Sequence, residues 1–443
     1  MTDGKRDEPI MSRLDWAAFI MIVAVVLIEG WLFFGPGRGD STSETGSEAA
    51  DSAVAMSLAE AMGGGDPTGY ARALEPREFD FPADHGAHPD FRTEWWYVTS
   101  NLFAEDGRRF GAHYTIFRSA LEAPDSADED TSASGSDTST DGDWSTNDVY
   151  MGHFAVADVD AGTFTEAERF TRGAAGLAGS RAEPGEPFGV WMDDWEMASV
   201  EPAGAGPDGI FPLRLVARNP EAETGIDLVL TPEKPMVLQG DAGLSQKGDE
   251  PGNASFYYSF TRLRTEGVVI TAGDTIAVTG QSWMDREWST SALDETQEGW
   301  DWFALQLDDG RDLMVYRLRG TDGSTDPLSE GVLVDPAGGR TRLGADDFSL
   351  EVLETWASPI DGAEYPSVWR VDVPSAELSL RVRPVLRDQE MDVTVRYWEG
   401  AVDVLPAGIG ARAGPPNARA AASPIGRGYV ELTGYAGMAP PGG

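Results

Sequence analysis

Residues Trp95 to Arg118 read WWYVTSNLFAEDGRRFGAHYTIFR, two apolar-rich runs of strand length separated by Asp106-Gly107. An Asp-Gly pair between such runs supplies a residue that accepts positive φ, which a tight hairpin requires. Residues Trp300 to Leu318, WDWFALQLDDGRDLMVYRL, repeat the arrangement around Asp309-Gly310. Tyr97 and Trp300 each lie ten residues before the turn glycine, and Leu102 and Leu305 each lie five before it. Matched spacing around two hairpins predicts an internal repeat of two similar all-β units.

Working outward, further apolar or alternating runs predict strands at 152–159, 211–217, 227–230, 275–280, 378–382, 391–397 and 428–433. No amphipathic helix of useful length follows residue 79. Each unit has the size of an eight-stranded closed antiparallel barrel whose interior holds one small ligand. An immunoglobulin-type sandwich pair is the second choice, since it needs fewer residues per unit and a Cys-Trp-Cys framework that a chain with no cysteine lacks. The boundaries expected are 76–245 for the first unit and 246–443 for the second.

The N-terminus has a different composition. Trp16 to Phe34 (WAAFIMIVAVVLIEGWLFF) is an apolar run of the length that crosses a bilayer, interrupted by Glu29. It follows Lys5, Arg6 and Arg13 and leads into an acidic flank. That bias predicts a cytoplasmic segment 1–15, an anchor 16–34 and an extracytoplasmic remainder, periplasmic in a cell with two membranes, where envelope proteins could be partners. A cleaved signal peptide is the alternative. Residues 35–75 read as a flexible tether, and Glu122 to Asp148 (EAPDSADEDTSASGSDTSTDGDWSTND) as a disordered acidic loop within the first unit.

Lys+Arg 33 against Asp+Glu 75 gives a net charge of −42, which excludes nucleic acid as a partner. Only Lys5, Lys234 and Lys247 are lysines, and a carboxylate-covered, lysine-poor surface fits a halophilic setting. The absence of cysteine removes disulfides, thiol nucleophiles and cysteine metal sites. All four His lie between residues 85 and 153, without H-x-H or H-E-x-x-H spacing, so no metal is expected. There is no G-x-S-x-G, and Gly63-Gly64-Gly65 follows no strand.

Chemistry is concentrated where indoles and carboxylates bunch, in HPDFRTEWWY (88–97), WMDREW (283–288) and Trp300-Asp301-Trp302. A carboxyl among indoles loses solvation, is pushed toward its neutral form, and becomes a usable proton donor, while aromatic faces stabilise a cation formed beside it. Asp285 and Glu94 are the candidate acids. Trp95, Tyr97, His113, Trp283, Trp288, Trp300 and Trp302 are the candidate ligand-binding residues. The plainer reading stays open: Glu94 pairing with Arg92 or Arg118, and Asp285 and Glu287 with Arg286, as buttresses of a barrel end.

Eight blocks carry a resemblance: 88–102, 110–118, 152–158, 243–263, 280–289, 299–310, 397–401 and 428–435. In their order and residues they resemble the AttH-like, or carotenoid 1,2-hydratase-like, family, whose members have two lipocalin-like domains in tandem. The resemblance implies two lipocalin-like barrels. It also implies either binding of an apolar lipid or isoprenoid, or addition of water to a terminal alkene without a cofactor. Asp285 would then be the acid and Glu94 would orient water. Many members carry His where this chain has Arg286, while Asp285 and Glu287 match. The leading expectation is a membrane-anchored module binding an apolar ligand, the second a hydratase, and the third an aromatic-rich glycan-binding or glycan-cleaving module.

Overall fold

The structure is a computed structural model in which residues 67–124, 146–291, 293–294, 296–407 and 423–436 are described. The anchor run Trp16–Phe34, the segments 1–66 and 125–145, and the remaining gaps lie outside the described residues. Among the described residues no helix is long and apolar enough to cross a membrane.

Strands β1 (Thr93–Ala104), β2 (Arg109–Ala120), β3 (Asp148–Asp158), β4 (Thr163–Arg172), β5 (Ala178–Arg181), β6 (Gly189–Met192), β7 (Trp195–Ser199), β8 (Leu213–Asn219), β9 (Thr224–Pro232), β10 (Val237–Leu238), β11 (Leu244–Gln246), β12 (Ala254–Thr271) and β13 (Asp274–Ser289) form a first antiparallel sheet. A second contains β14 (Gln297–Leu307), β15 (Asp312–Gly320), β16 (Glu330–Val334), β17 (Arg340–Gly344), β18 (Ser349–Ala357), β19 (Glu364–Val373), β20 (Leu378–Pro384), β21 (Glu390–Met391), β22 (Tyr397–Pro406) and β23 (Gly426–Leu432). Both sheets fall within one compact unit.

The two strand orders coincide. The first sheet runs β4-β3-β2-β1-β13-β12-β9-β8-β7 before continuing into β6 and β5, and the second runs β17-β16-β15-β14-β23-β22-β20-β19-β18. The two hairpins also coincide. Gly107 has φ +91° and donates to the Ala104 carbonyl, while Gly310 has φ +89° and donates to the Leu307 carbonyl. Asp106 and Asp309 each accept the backbone N–H two residues on, which fixes the turn.

Three expectations are corrected. The sheet changes between Ser289 and Gln297, so the expected division at 245/246 falls inside the first sheet, whose two longest strands come after it. The sheets curl into the barrel-like form expected, but the expected closure into eight strands is not seen: among the described residues β4 does not pair with β5, nor β17 with β18. The concave interiors are packed instead of hollow, the first by Trp96, Val98, Tyr114, Ile116, Trp195 and Trp288, the second by Phe303, Leu305, Trp369 and Trp398. Smaller departures follow the same logic. Of the expected strand 391–397, only the ends are extended, because residues 392–396 turn between β21 and β22. The end of the expected tether packs on the first sheet, with Ala73 buried and Tyr70 Oη donating to the Ala120 carbonyl at 3.2 Å. The flanks of the acidic loop are likewise fixed, for Asn147 and Glu122 exchange two hydrogen bonds.

Candidate functional site

On β1 and β13 the two-residue period sorts neighbouring side chains to opposite faces. Trp96 and Val98 enter the first core, as do Met284 and Trp288. Trp95, Tyr97, Trp283, Asp285 and Glu287 face the second sheet. There Tyr97, Tyr257 and Trp283 pack against Trp302, Ala304, Met314, Tyr316, Leu318, Ala401 and Tyr429 in a separate apolar cluster between the sheets. Both faces of these strands are therefore buried.

A cleft opens in this inter-sheet layer, with about 750 Å³ of empty space including its mouth. Its walls carry Trp95, Tyr97, Phe117, Tyr257, Trp300, Trp302, Tyr316 and Leu318, among which Lys247, Asp285, Glu287 and Glu431 are the ionisable groups. Two sheets thus contribute one aromatic wall each, and neither forms the site alone.

Asp285 is 3% exposed. Its Oδ1 accepts from Ser259 Oγ at 2.5 Å and Trp283 Nε1 at 2.6 Å, and its Oδ2 accepts from Tyr257 Oη at 2.6 Å. Gln239 Nε2 donates to Ser259 Oγ at 2.8 Å and Trp302 Nε1 to Tyr257 Oη at 3.3 Å, so the acceptor side of each hydroxyl is filled and its proton is aimed at Asp285. No ion pair reaches Asp285 among the described residues. Burial therefore outweighs the three donors, and the carboxyl is pushed up to about 7.

The other wall carries two acids that sequence reasoning did not nominate. Glu399 and Glu431 stand opposite each other on β22 and β23. Trp300 Nε1 donates to Glu431 Oε1 at 2.5 Å and Tyr97 Oη to Glu399 Oε1 at 2.8 Å. Burial and mutual repulsion raise Glu399 well above the carboxylate range, and burial pushes Glu431 up to about 7. Near the mouth, Glu287 accepts from Ser255 Oγ and lies 3.4 Å from Lys247 Nζ, which sits 4.2 Å from the Tyr316 ring centroid.

Of the residues nominated from sequence, the structure brings together Asp285, Trp95, Tyr97, Trp283, Trp300 and Trp302. It does not bring Glu94, which lies on the opposite face of β1. Glu94 is bound by Arg286 Nη2, by Arg118 Nη1 at 2.9 Å and by the His88 backbone N–H at 3.0 Å. Burial alone would raise its carboxyl, but Arg286, His88 and Arg118 hold it well below the ordinary range. It is a hub held ionised at neutral pH on the face away from the cleft, so its expected water-orienting role is corrected. Trp288 is corrected too, since it stacks on His88 at 3.8 Å inside the first core. His113 lies behind the cleft, 5.3 Å from the Tyr97 ring, with Nε2 2.7 Å from Thr115 Oγ1. Burial lowers its imidazole well below the usual value. The expected pairing of Asp285 with Arg286 is also absent, because Arg286 spans Glu94 and lies 4.0 Å from the Trp96 ring. Among the described residues no group of His and carboxylates could hold a metal ion.

The sequence profile described as AttH-like matches residues 72–435, both sheets from end to end. The chain belongs to the AttH-like family. A crystal structure of an AttH from Nitrosomonas europaea is 32% identical, covering 82% of this chain and 99% of that one with a TM-score of 0.66. Kievitone hydratase from Nectria haematococca shares the fold at 11% identity, with a TM-score of 0.55, covering 83% of this chain and 98% of that one. No curated protein matches the chain. The AttH-like assignment accounts for the paired strand orders, and the lipocalin-like pair of curled sheets is the part of the expected architecture that holds.

Proposed function

We propose that the inter-sheet cleft binds a largely apolar, alkene-bearing ligand of the isoprenoid class and adds water across its double bond, with Asp285 as the acid. The observation that carries this is the state of Asp285, a buried carboxyl without a cation, pushed up to about 7, in a cleft walled by aromatic rings. A carrier gains nothing from a desolvated acid, whereas an acid catalyst needs one that holds its proton near neutral pH.

The step balances without a cofactor. The alkene π pair takes the Asp285 proton and forms a C–H bond, which leaves a carbocation on the adjacent carbon. The faces of Tyr97, Tyr257, Trp300 and Trp302 stabilise that charge. Water then forms the C–O bond and gives up one proton. The hydratase name of the fold neighbour from Nectria haematococca agrees with this reading but does not carry it. An N-terminal anchor at Trp16–Phe34 would place the cleft beside the membrane in which such ligands dissolve, on its extracytoplasmic side.

The test is incubation of purified protein with acyclic terpenes in detergent micelles, followed by mass measurement of the products. Product heavier by one water that is lost in Asp285→Asn supports the reading. Binding, followed by tryptophan quenching, without any product reduces the protein to a carrier.

A further inference from the structure

We propose that Glu399 and Glu431 form a proton-sharing carboxyl pair that acts as the base for the attacking water, on the wall of the cleft contributed by the second sheet. This rests on the hydration reading and adds the residues that receive the water's proton.

The geometry begins with the ladder. Glu399 faces Glu431 directly across β22 and β23, and both are turned into the inter-sheet layer, Glu431 lining the cleft and Glu399 reaching the Tyr97 hydroxyl beside it. Glu399 is wholly buried and Glu431 half-buried. Neither residue takes part in an ion pair among the described residues, and the charged groups facing them from the first sheet are Asp285 and Glu287, both acidic. Two carboxylates in this setting cannot both be ionised, so the pair must hold a proton.

The donors around the pair indicate where that proton sits. Glu399 Oε1 is occupied by the Tyr97 hydroxyl, while Glu399 Oε2 is buried with no donor. A proton on Oε2 removes this deficit and donates to Glu431, across the ladder. Glu431 is then a carboxylate receiving the Trp300 indole N–H and the Glu399 hydroxyl, with its remaining acceptor capacity toward the cleft. That is a base of near-neutral strength. When water attacks the carbocation, a lone pair of its oxygen forms the new C–O bond, one O–H bond breaks with its electron pair staying on the oxygen, and the proton passes to Glu431. Asp285 has meanwhile lost one proton, and the cycle closes when the proton on the pair returns to Asp285 through water entering after the product leaves.

The experiment uses the full chain and two readouts. Infrared difference spectra from about pH 5 to 9 follow the protonated carboxyl band. The expected result is a band that persists at neutral pH and that both Glu399→Gln and Glu431→Gln weaken. With an acyclic terpene in micelles as the probe, Glu431→Gln should lower kcat about 100-fold while leaving KM near wild type, and should abolish the pH limb assigned to the base. Glu399→Gln keeps a donor toward Glu431 and should retain more activity than Glu431→Gln. Wild-type product with unaltered kcat in Glu431→Gln overturns the pair's role and leaves the hydration reading standing. Absence of product from every alkene overturns hydration and the role as base together. A spectrum unchanged by both substitutions overturns the shared proton itself.

Discussion

Glu94 and Asp285 lie three positions apart on one ladder and face opposite sides of the same sheet. Tyr97 pairs with Asp285 and Glu94 with Trp288 across β1 and β13, and the odd spacing sends one carboxylate into the first core and the other into the cleft. Glu94 is held by Arg286 and Arg118, whereas Asp285 itself receives only neutral donors. The same sheet therefore keeps one acid ionised and the other near neutral, although both are buried.

That sorting predicts opposite pH responses. Asp285 has an ordinary value of 3.8 and is pushed up to about 7 by burial. Its stabilising effect is complete below the ordinary value and is lost as pH rises through about 7. Asp285→Asn should flatten the fall in stability over this range, by on the order of 4 kcal/mol at most. Denaturant unfolding at pH 4 and pH 8 measures it. An equal loss in wild type and variant would show that the carboxyl is not held neutral.

Glu94→Gln should destabilise the protein by about 3–5 kcal/mol, because Arg286 would be left buried with a neutral partner, whereas Arg118 keeps Asp148 at 2.8 Å. Its lowered carboxyl contributes stability above the ordinary value of 4.5, lost as pH falls below it, so the variant should also show a weaker acid transition. Ligand quenching of the cleft tryptophans should survive in the folded fraction. Loss of binding without loss of stability would put Glu94 back in the site.

The sequence displays the hairpins, the repeat and Asp285 because each depends on local signals, a turn pair, a spacing or an acid among indoles. It hides the cleft, whose walls join residues from β1, β2, β12, β13, β14, β15 and β23. Glu399 and Glu431 look like isolated acids in separate strands, and only the pairing of β22 with β23 makes them neighbours. A trace of them does exist: each is flanked on both sides by apolar or small residues, YWEGA and YVEL, in strands that leave no exposed face. The faces of Trp288 and Glu94 stay hidden in the sequence for a related reason. Alternation assigns WMDREW to two faces but does not say which face meets the second sheet.

The internal repeat makes its own prediction. Gly280 pairs with Leu102 and Gly428 with Leu305, the residues that occupy equivalent positions before the two turns. A Cβ at Gly280 would lie 2.0 Å from the Asn101 carbonyl oxygen, and one at Gly428 would lie 2.1 Å from that of Ala304. Backbone approaches this close leave no room for a methyl group. Gly280→Ala and Gly428→Ala should each cost about 2 kcal/mol or more, whereas Gly107→Ala, where a Cβ meets nothing within 4 Å, should show only the smaller effect of its positive φ. Tolerance of either ladder substitution would argue against the close approach.

Salt dependence follows from where the few lysines sit. Of the three in the chain, Lys234 and Lys247 are described, and their side chains are only 4% and 15% exposed, committed to Asp312 and Glu287. Neither offsets the surface carboxylates, so a chain of net charge −42 repels itself at low ionic strength. Screening within a Debye length that shrinks from about 10 Å at 0.1 M to about 3 Å at 1 M should remove much of this repulsion. The thermal midpoint should therefore rise steeply between low and molar KCl. Excluded solutes also strengthen apolar burial, which raises the midpoint of any protein. A non-ionic osmolyte separates the two, since it reproduces the burial effect and not the screening. If KCl raises the midpoint no more than the osmolyte does, surface repulsion is not what limits stability, and the acidic composition needs another cause.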